Sequence, residues 1–246
     1  MLKMKTISIL AIAGLVLALA PAAWAELVSD PGGFTPPAGL NEGDTYHLVF
    51  VSSTVRDATS ADIADYNTHV QSAADAAGIG SGAGVTWKAI AATETVNANV
   101  NAPVSGPVYL VDGTTKVADE AAFYTGTHLV PINYNEDGSA HEEVDASPHQ
   151  YDPSPTWAVW TGTFPSGDEA WNALGRTTPT SGYGYADKAD NAWARWEHDG
   201  GATDQDLLLP LYGLSEALTV VVPEPATMSL LAIGGLGLLA RRKRSA

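Results

Sequence analysis

The hydrophobic and polar positions of the chain change period several times, and each change marks an element. Residues 45–53, TYHLVFVSS, alternate and are rich in β-branched and aromatic side chains, which predicts a strand. The period then lengthens. Ile63, Tyr66, Val70, Ala73, Ala74 and Ala77 recur at helical spacing, Thr59 or Ser60 supplies a cap, Asp62 complements the positive end, and Gly78 stops the helix. The glycine cluster GIGSGAG at 78–84 is the exit loop. It closes a helix, whereas a dinucleotide-binding loop follows a strand and opens one, so no phosphate cradle is expected. Residues 85–93 read as a strand, and VYLVDGTTKVA at 108–118 as a hairpin turning at Asp112-Gly113. Further short strands are expected at 128–132, 157–161 and 207–222. One main helix followed by several short, mostly antiparallel strands predicts an α+β domain, with a β-sandwich as the alternative.

The two ends follow different patterns. Lys3 and Lys5 precede an apolar run over 7–20, and Ala23-Trp24-Ala25 places small residues at alternate positions, so residues 1–25 form a secretory signal peptide cut by signal peptidase. At the other end, residues 226–240 are apolar and would make a helix of about 22 Å at ~1.5 Å per residue. That is short of the roughly 30 Å hydrocarbon layer, so such a transmembrane segment spans only with thinning and snorkelling by its arginines. The basic residues Arg241, Arg242, Lys243 and Arg244 hold the tail on the cytoplasmic side, leaving the body outside. Pro223 and Pro225 lack amide donors, so Pro223-Glu224-Pro225 is an extended break between body and membrane. Residues 26–222 are then a single extracellular domain and 223–246 a separate segment.

This order of triplet, short apolar run and basic end resembles the PEP-CTERM sorting signal of Gram-negative bacteria that make extracellular polysaccharide. The resemblance implies recognition of Pro223, Glu224 and Pro225 by an exosortase, transient anchoring in the inner membrane, removal of the tail, and delivery to the cell surface or extracellular matrix. In the body, Ala61-Asp62, Trp87-Lys88-Ala89, Tyr109 to Gly113, Val130-Pro131-Ile132 and Val159 to Thr163 look like the motifs of bacterial surface domains with a C-type-lectin or endostatin-like fold. That resemblance implies a lectin-like architecture, although lectin-type disulfides and a Glu-Pro-Asn loop are missing.

Charge narrows the partners. Of 246 residues 28 are acidic, all between Glu26 and Glu224, and against 6 bases in that span they leave 22 net negative charges. Such a surface repels phosphate backbones, so nucleic acid is not an expected partner. The chain has no cysteine, so its fold rests on its core and not on disulfides.

Candidate chemistry is sparse. NYNEDGSAHEE places Asn133, Asn135, Asp137 and Glu143 in an order that partly imitates an oxygen-ligand calcium loop, with Asn at the first position and Val144 at the twelfth. Calcium is therefore the candidate cofactor. His141-Glu142-Glu143-Val144-Asp145 has Asp where a zinc-protease helix has its second His, and Ser147-Pro148 curtails any helix there. No Gly-x-Ser-x-Gly elbow exists, and six histidines are scattered without a partner pattern, so no enzyme is expected. Trp157, Trp160, Trp193 and Trp196, with acceptors such as Asp187 and Glu197 nearby, suit sugar stacking, although residues three apart on a strand face opposite sides, so one Trp of each pair is expected in the core. The sequence thus describes an exported, surface-sorted, non-enzymatic binding or structural component with polysaccharide as candidate ligand. A calcium-assisted lectin-like module and a secreted hydrolase are the alternatives.

Overall fold

The strand beginning at Thr45 is the hub of the molecule, and its surroundings explain its composition. A computed structural model describes residues 27–142, 157–195 and 202–222. In it β2 (Thr45–Val51) is buried from Tyr46 to Val51, on both faces. The alternation in TYHLVFV therefore does not mark a wet side: His47 is as buried as its apolar neighbours, and its Nδ1 lies 2.9 Å from the Ser215 carbonyl.

Around β2 gather β1 (Val28–Asp30), β3 (Trp87–Ala89), β4 (Val108–Leu110), β5 (Lys116–Ala118), β9 (Tyr212–Ser215) and β10 (Leu218–Val221). The path runs β1-β10-β2-β4-β5, while β9 pairs with both β2 and β3. One edge of β2 is shared: Thr45 and Tyr46 meet β10, and Val49 to Val51 meet β9, both antiparallel. The other edge pairs with β4 in parallel, and the remaining pairings are antiparallel. A second sheet of three antiparallel strands holds β6 (Ala158–Trp160), β7 (Thr180–Tyr185) and β8 (Ala202–Asp204) in that order.

The main helix, α1 (Ile63–Ala76), buries Tyr66, Val70, Ala73 and Ala74, one stripe of its surface. Its cap is Asp62, whose carboxylate accepts from the Ala64 amide at 2.9 Å; Ser60, predicted as a cap, instead accepts from the Asp62 amide at 3.1 Å. Polar residues lock the helix to β3. Gln71 Oε1 accepts from the Trp87 amide at 2.8 Å and Asn67 Oδ1 from the Ala89 amide at 2.9 Å, supplying partners that an edge strand would otherwise lack. Two single-turn helices, α2 (Ala98–Asn101) and α3 (Glu120–Phe123), and two 3-10 turns, Ser81–Ala83 and Asn191–Trp193, are the other helical elements among the described residues.

Mostly antiparallel strands with few helices agree with the predicted α+β class. The hairpin is present, β4 returning as β5 through Gly113 at φ 68° while Asp112 caps the Thr114 and Thr115 amides. Four expectations are corrected. Residues 128–132 form no strand: the His128 and Leu129 amides donate to the isolated carbonyls of Ala189 and Val117, and Pro131 has no donor to continue a ladder. The strand predicted at 85–93 shortens to Trp87–Ala89. The stretch 207–222 is two strands, broken at Glu216 and Ala217. Strands β1, β7 and β8 lie where no strand is predicted.

Residues 28–221 make one compact unit. Its centre is aromatic: Trp193 packs 5.6 Å from Phe123, 4.5 Å from His128 and 6.0 Å from Tyr212. Among the described residues no helix is long and apolar enough to cross a membrane. The predicted signal peptide at 1–25 and the apolar run at 226–240 lie outside them.

Candidate functional site

A tight loop after β6 carries the most exposed aromatic side chain among the described residues. Thr163 bridges to Glu169, and within that closure the Phe164 amide donates to the Asp168 carbonyl and the Gly167 amide to the Phe164 carbonyl, each at 2.9 Å. Gly167 sits at φ 82°, a left-handed turn that side chains resist, with Asn99 and Tyr124 packed where a Cβ would go. Two asparagines clamp the loop from α2 and the residue before it. Asn97 Nδ2 donates to the Asp168 carboxylate at 3.2 Å and its Oδ1 accepts from the Glu169 amide at 3.1 Å; Asn99 Nδ2 donates to the Ser166 carbonyl at 3.1 Å.

Buried Ala170 anchors the far side, and the next residue, Trp171, projects with 77 % of its surface exposed. It is not loose. Phe164 meets it edge-on at 5.9 Å, Arg176 donates to its carbonyl, and the Arg195 guanidinium lies 5.0 Å over its ring and 4.6 Å over Phe164. Cation–π contacts of this kind hold an aromatic face at a fixed angle. Arg195 itself is 8 % exposed, and among the described residues its Nε has no hydrogen-bond acceptor. The outcome is an apolar plate contacted by Phe164 and Arg195, carried on a loop whose acidic residues Asp168 and Glu169 are exposed.

The sequence-predicted tryptophans fall elsewhere. Trp160 and Trp193 are wholly buried, so their proposed role as sugar platforms is corrected: neither indole has a face to offer. Trp160 Nε1 donates to the Arg56 carbonyl at 3.0 Å, tying β6 to the main sheet. Trp157 is half-buried, edge-on to His141 at 5.8 Å. Trp196 lies outside the described residues. Trp171 escaped the sequence reading although its neighbours carried a signal: FPSGDEAW combines a turn-forming Pro-Ser-Gly-Asp with flanking acids, which places a large aromatic on a loop.

The described candidate calcium residues, Asn133, Asn135 and Asp137, bond to neighbours close by in sequence. Asn135 Oδ1 faces His141 Nδ1 at 2.8 Å, and Asp137 Oδ1 accepts from the Ser139 hydroxyl at 2.6 Å and amide at 2.8 Å. Those Ser139 donors hold the Asp137 carboxyl below its usual range. Asn133 contributes its carbonyl to the His141 amide, and Glu143 lies outside the described residues. Among the described residues no three His, Cys, Asp or Glu side chains come together as metal ligands.

One pairing was invisible in the sequence. His47 Nε2 lies 3.3 Å from the exposed Ser105 hydroxyl, with Nδ1 against the Ser215 carbonyl. The same Nε2 accepts the Ser105 amide at 3.0 Å. With Nδ1–H donated to a carbonyl, the single lone pair on Nε2 is already engaged, so His47 pins the 105–107 turn to β2 and leaves the hydroxyl without a free base.

The described chain ends at Val222, one residue after β10. No curated protein matches this chain. A sequence family described as a PEP-CTERM protein-sorting motif matches residues 221–244, spanning Pro223, Glu224 and Pro225 and the basic cluster Arg241 to Arg244, all but the first two positions lying outside the described residues. The chain therefore carries a PEP-CTERM sorting signal, the mark of an exported, exosortase-sorted protein, and the matched segment begins at the last residue of β10.

Proposed function

We propose that this protein is a non-enzymatic, polysaccharide-binding domain displayed at the cell surface or in the extracellular polysaccharide matrix, with Trp171 as its contact platform. The observation that carries the reading is the 77 % exposure of an indole that Phe164 and Arg195 contact while Arg176 holds its backbone carbonyl. An exposed tryptophan costs solvation unless something covers it, and sugar rings present flat C–H faces that stack on such plates. The exposed carboxylate of Glu169, two residues before Trp171, is suited to sugar hydroxyls. The sorting signal supports the same reading, because it marks the domain for display outside the cell.

Calcium is not required on this reading, because Asn135 Oδ1 and Asp137 Oδ1 accept hydrogen bonds from His141 and Ser139 close by in sequence. The test is affinity electrophoresis of the full chain in mild detergent through gels containing neutral or acidic polysaccharides, with and without chelator. Retardation that survives chelator and disappears in Trp171→Ala is the expected result. Unretarded wild type in every gel, or equal retardation of the variant, overturns the proposal.

A further inference from the structure

The unsatisfied side of Arg195 points to which polysaccharide. The body carries 28 acids against 6 bases between Glu26 and Glu224, yet two of those six, Arg176 and Arg195, flank Trp171. Arg176 is neutralised in part by Glu94 at 3.3 Å. Arg195 is different: it is more than nine-tenths buried, no described carboxylate pairs with it, and its Nε–H meets no acceptor among the described residues. Two ring faces, Phe164 and Trp171, are its described companions. Aromatic faces stabilise the charge of a guanidinium but accept no in-plane N–H, so among the described residues its Nε–H is left wanting an oxygen. A buried donor of this kind, beside an exposed stacking plate, is a half-built anion site.

Resting on the reading of Trp171 as a sugar platform, we propose that the site recognises an acidic sugar, a uronic acid unit of an anionic polysaccharide, whose ring stacks on Trp171 while its carboxylate takes the donor edge of Arg195. A guanidinium matches a carboxylate through two parallel N–H bonds, which a hydroxyl cannot reproduce. The surrounding charge makes the specificity diagnostic. The overall acidic body repels a polyanion at long range, so tighter binding to an acidic polymer than to its uncharged counterpart has to come from a local contact.

The experiment compares binding of the full chain, in mild detergent, to polygalacturonate and to the same polymer fully methyl-esterified, with a neutral glucan as a third ligand. Changing the ligand leaves the protein fold untouched. The expected result is at least tenfold tighter binding to the free acid, a preference that shrinks as salt rises toward 1 M, and Trp171→Ala weakening both polymers together. Arg195→Gln is expected to equalise the two polymers. Equal affinity of the wild type for acid and ester, or a preference for the ester, overturns the acidic-sugar assignment and leaves the sugar-platform reading standing. Failure to bind all three polymers overturns the platform reading and this assignment with it.

Discussion

Val28 pairs with Val221, so the first described strand and the last lie side by side. Strand β10 is held between β1 and β2, although the sorting signal follows it almost at once. Leu218 and Val220 are wholly buried, and each contributes roughly 1.5–3 kcal/mol to the fold. Losing both, with two ladders of hydrogen bonds, would remove a large share of the 5–15 kcal/mol typical of a domain. A chain stopped after Val222 is therefore expected to keep the full-length melting temperature, while one stopped after Ala217 is expected to lose its cooperative transition. The same relationship places processing. Intact-mass analysis of the surface-released protein should find its C-terminus at or beyond Val222, because a cut within β10 would open the sheet.

Two tryptophans separate stability from binding. Trp193 packs on Phe123, His128 and Tyr212 with no exposed surface, and its replacement by Ala is expected to cost about 3–5 kcal/mol by chemical denaturation. Trp171 gives up one edge-on partner and one cation contact, so Trp171→Ala should cost about 1 kcal/mol while abolishing polysaccharide retention. Similar stability losses in the two variants would contradict the placement of these rings.

Acid sensitivity should come from buried histidines. The His128 ring lies against Phe123 and Trp193, its Nε2 donates to the Phe123 carbonyl at 3.1 Å, and its Nδ1 has no partner among the described residues. Protonation would bury a second, unanswered N–H, and burial accordingly pushes its pKa down to about 4 from 6.5. The unfolded chain takes up the proton near 6.5 and the folded one resists it to about 4. Stability is thus fully present above pH 6.5 and falls between 6.5 and 4, by about 3 kcal/mol at roughly 1.4 kcal/mol per unit for this residue. His47, His69 and His141, also pushed down by burial, act with the same sign. Carboxylates such as Asp75, held low by Gln71 and Ser81, lose their share only below about 3.8. Thermal melts from pH 7 to 4 should show the decline, and His128→Gln should make it shallower, leaving the share of the other three histidines.

What the sequence disclosed depended on how local its cause was. The sorting triplet and basic cluster, the α1 stripe and the Asp112-Gly113 turn are written in neighbouring residues and could be read directly. Burial of Trp160 and Trp193 is decided by strands far away in sequence, so spacing alone could not separate them from Trp171. The same is true of β7, TSGYGY, whose glycines break any alternating pattern. They are there because another segment of backbone lies against them. Likewise the His47–Ser105 contact joins residues 58 apart and has no signature in the chain.

Gly184 shows that close approach at its sharpest, and it couples the fold to the candidate site. It pairs with Val159 in the second sheet, and a Cβ built on it would come within 2.0 Å of the Trp193 carbonyl oxygen and 2.9 Å of the Ala194 carbonyl carbon. The obstacle is backbone and cannot rotate away. Trp193 would have to withdraw its carbonyl, which Tyr212 holds through its hydroxyl at 3.2 Å, and Ala194 its own, which accepts from Thr161 at 2.5 Å. Overpacking of this kind costs about 3 kcal/mol. Gly82, with open space around it, is the control, and its replacement by Ala should stay within about 0.5 kcal/mol of wild type. Arg195 follows Ala194 directly, so moving that backbone also moves the guanidinium from beneath Trp171. Gly184→Ala is expected to lower the urea midpoint and weaken polysaccharide retention together, whereas Gly82→Ala should change neither. A stable Gly184→Ala protein with wild-type binding would refute the contact.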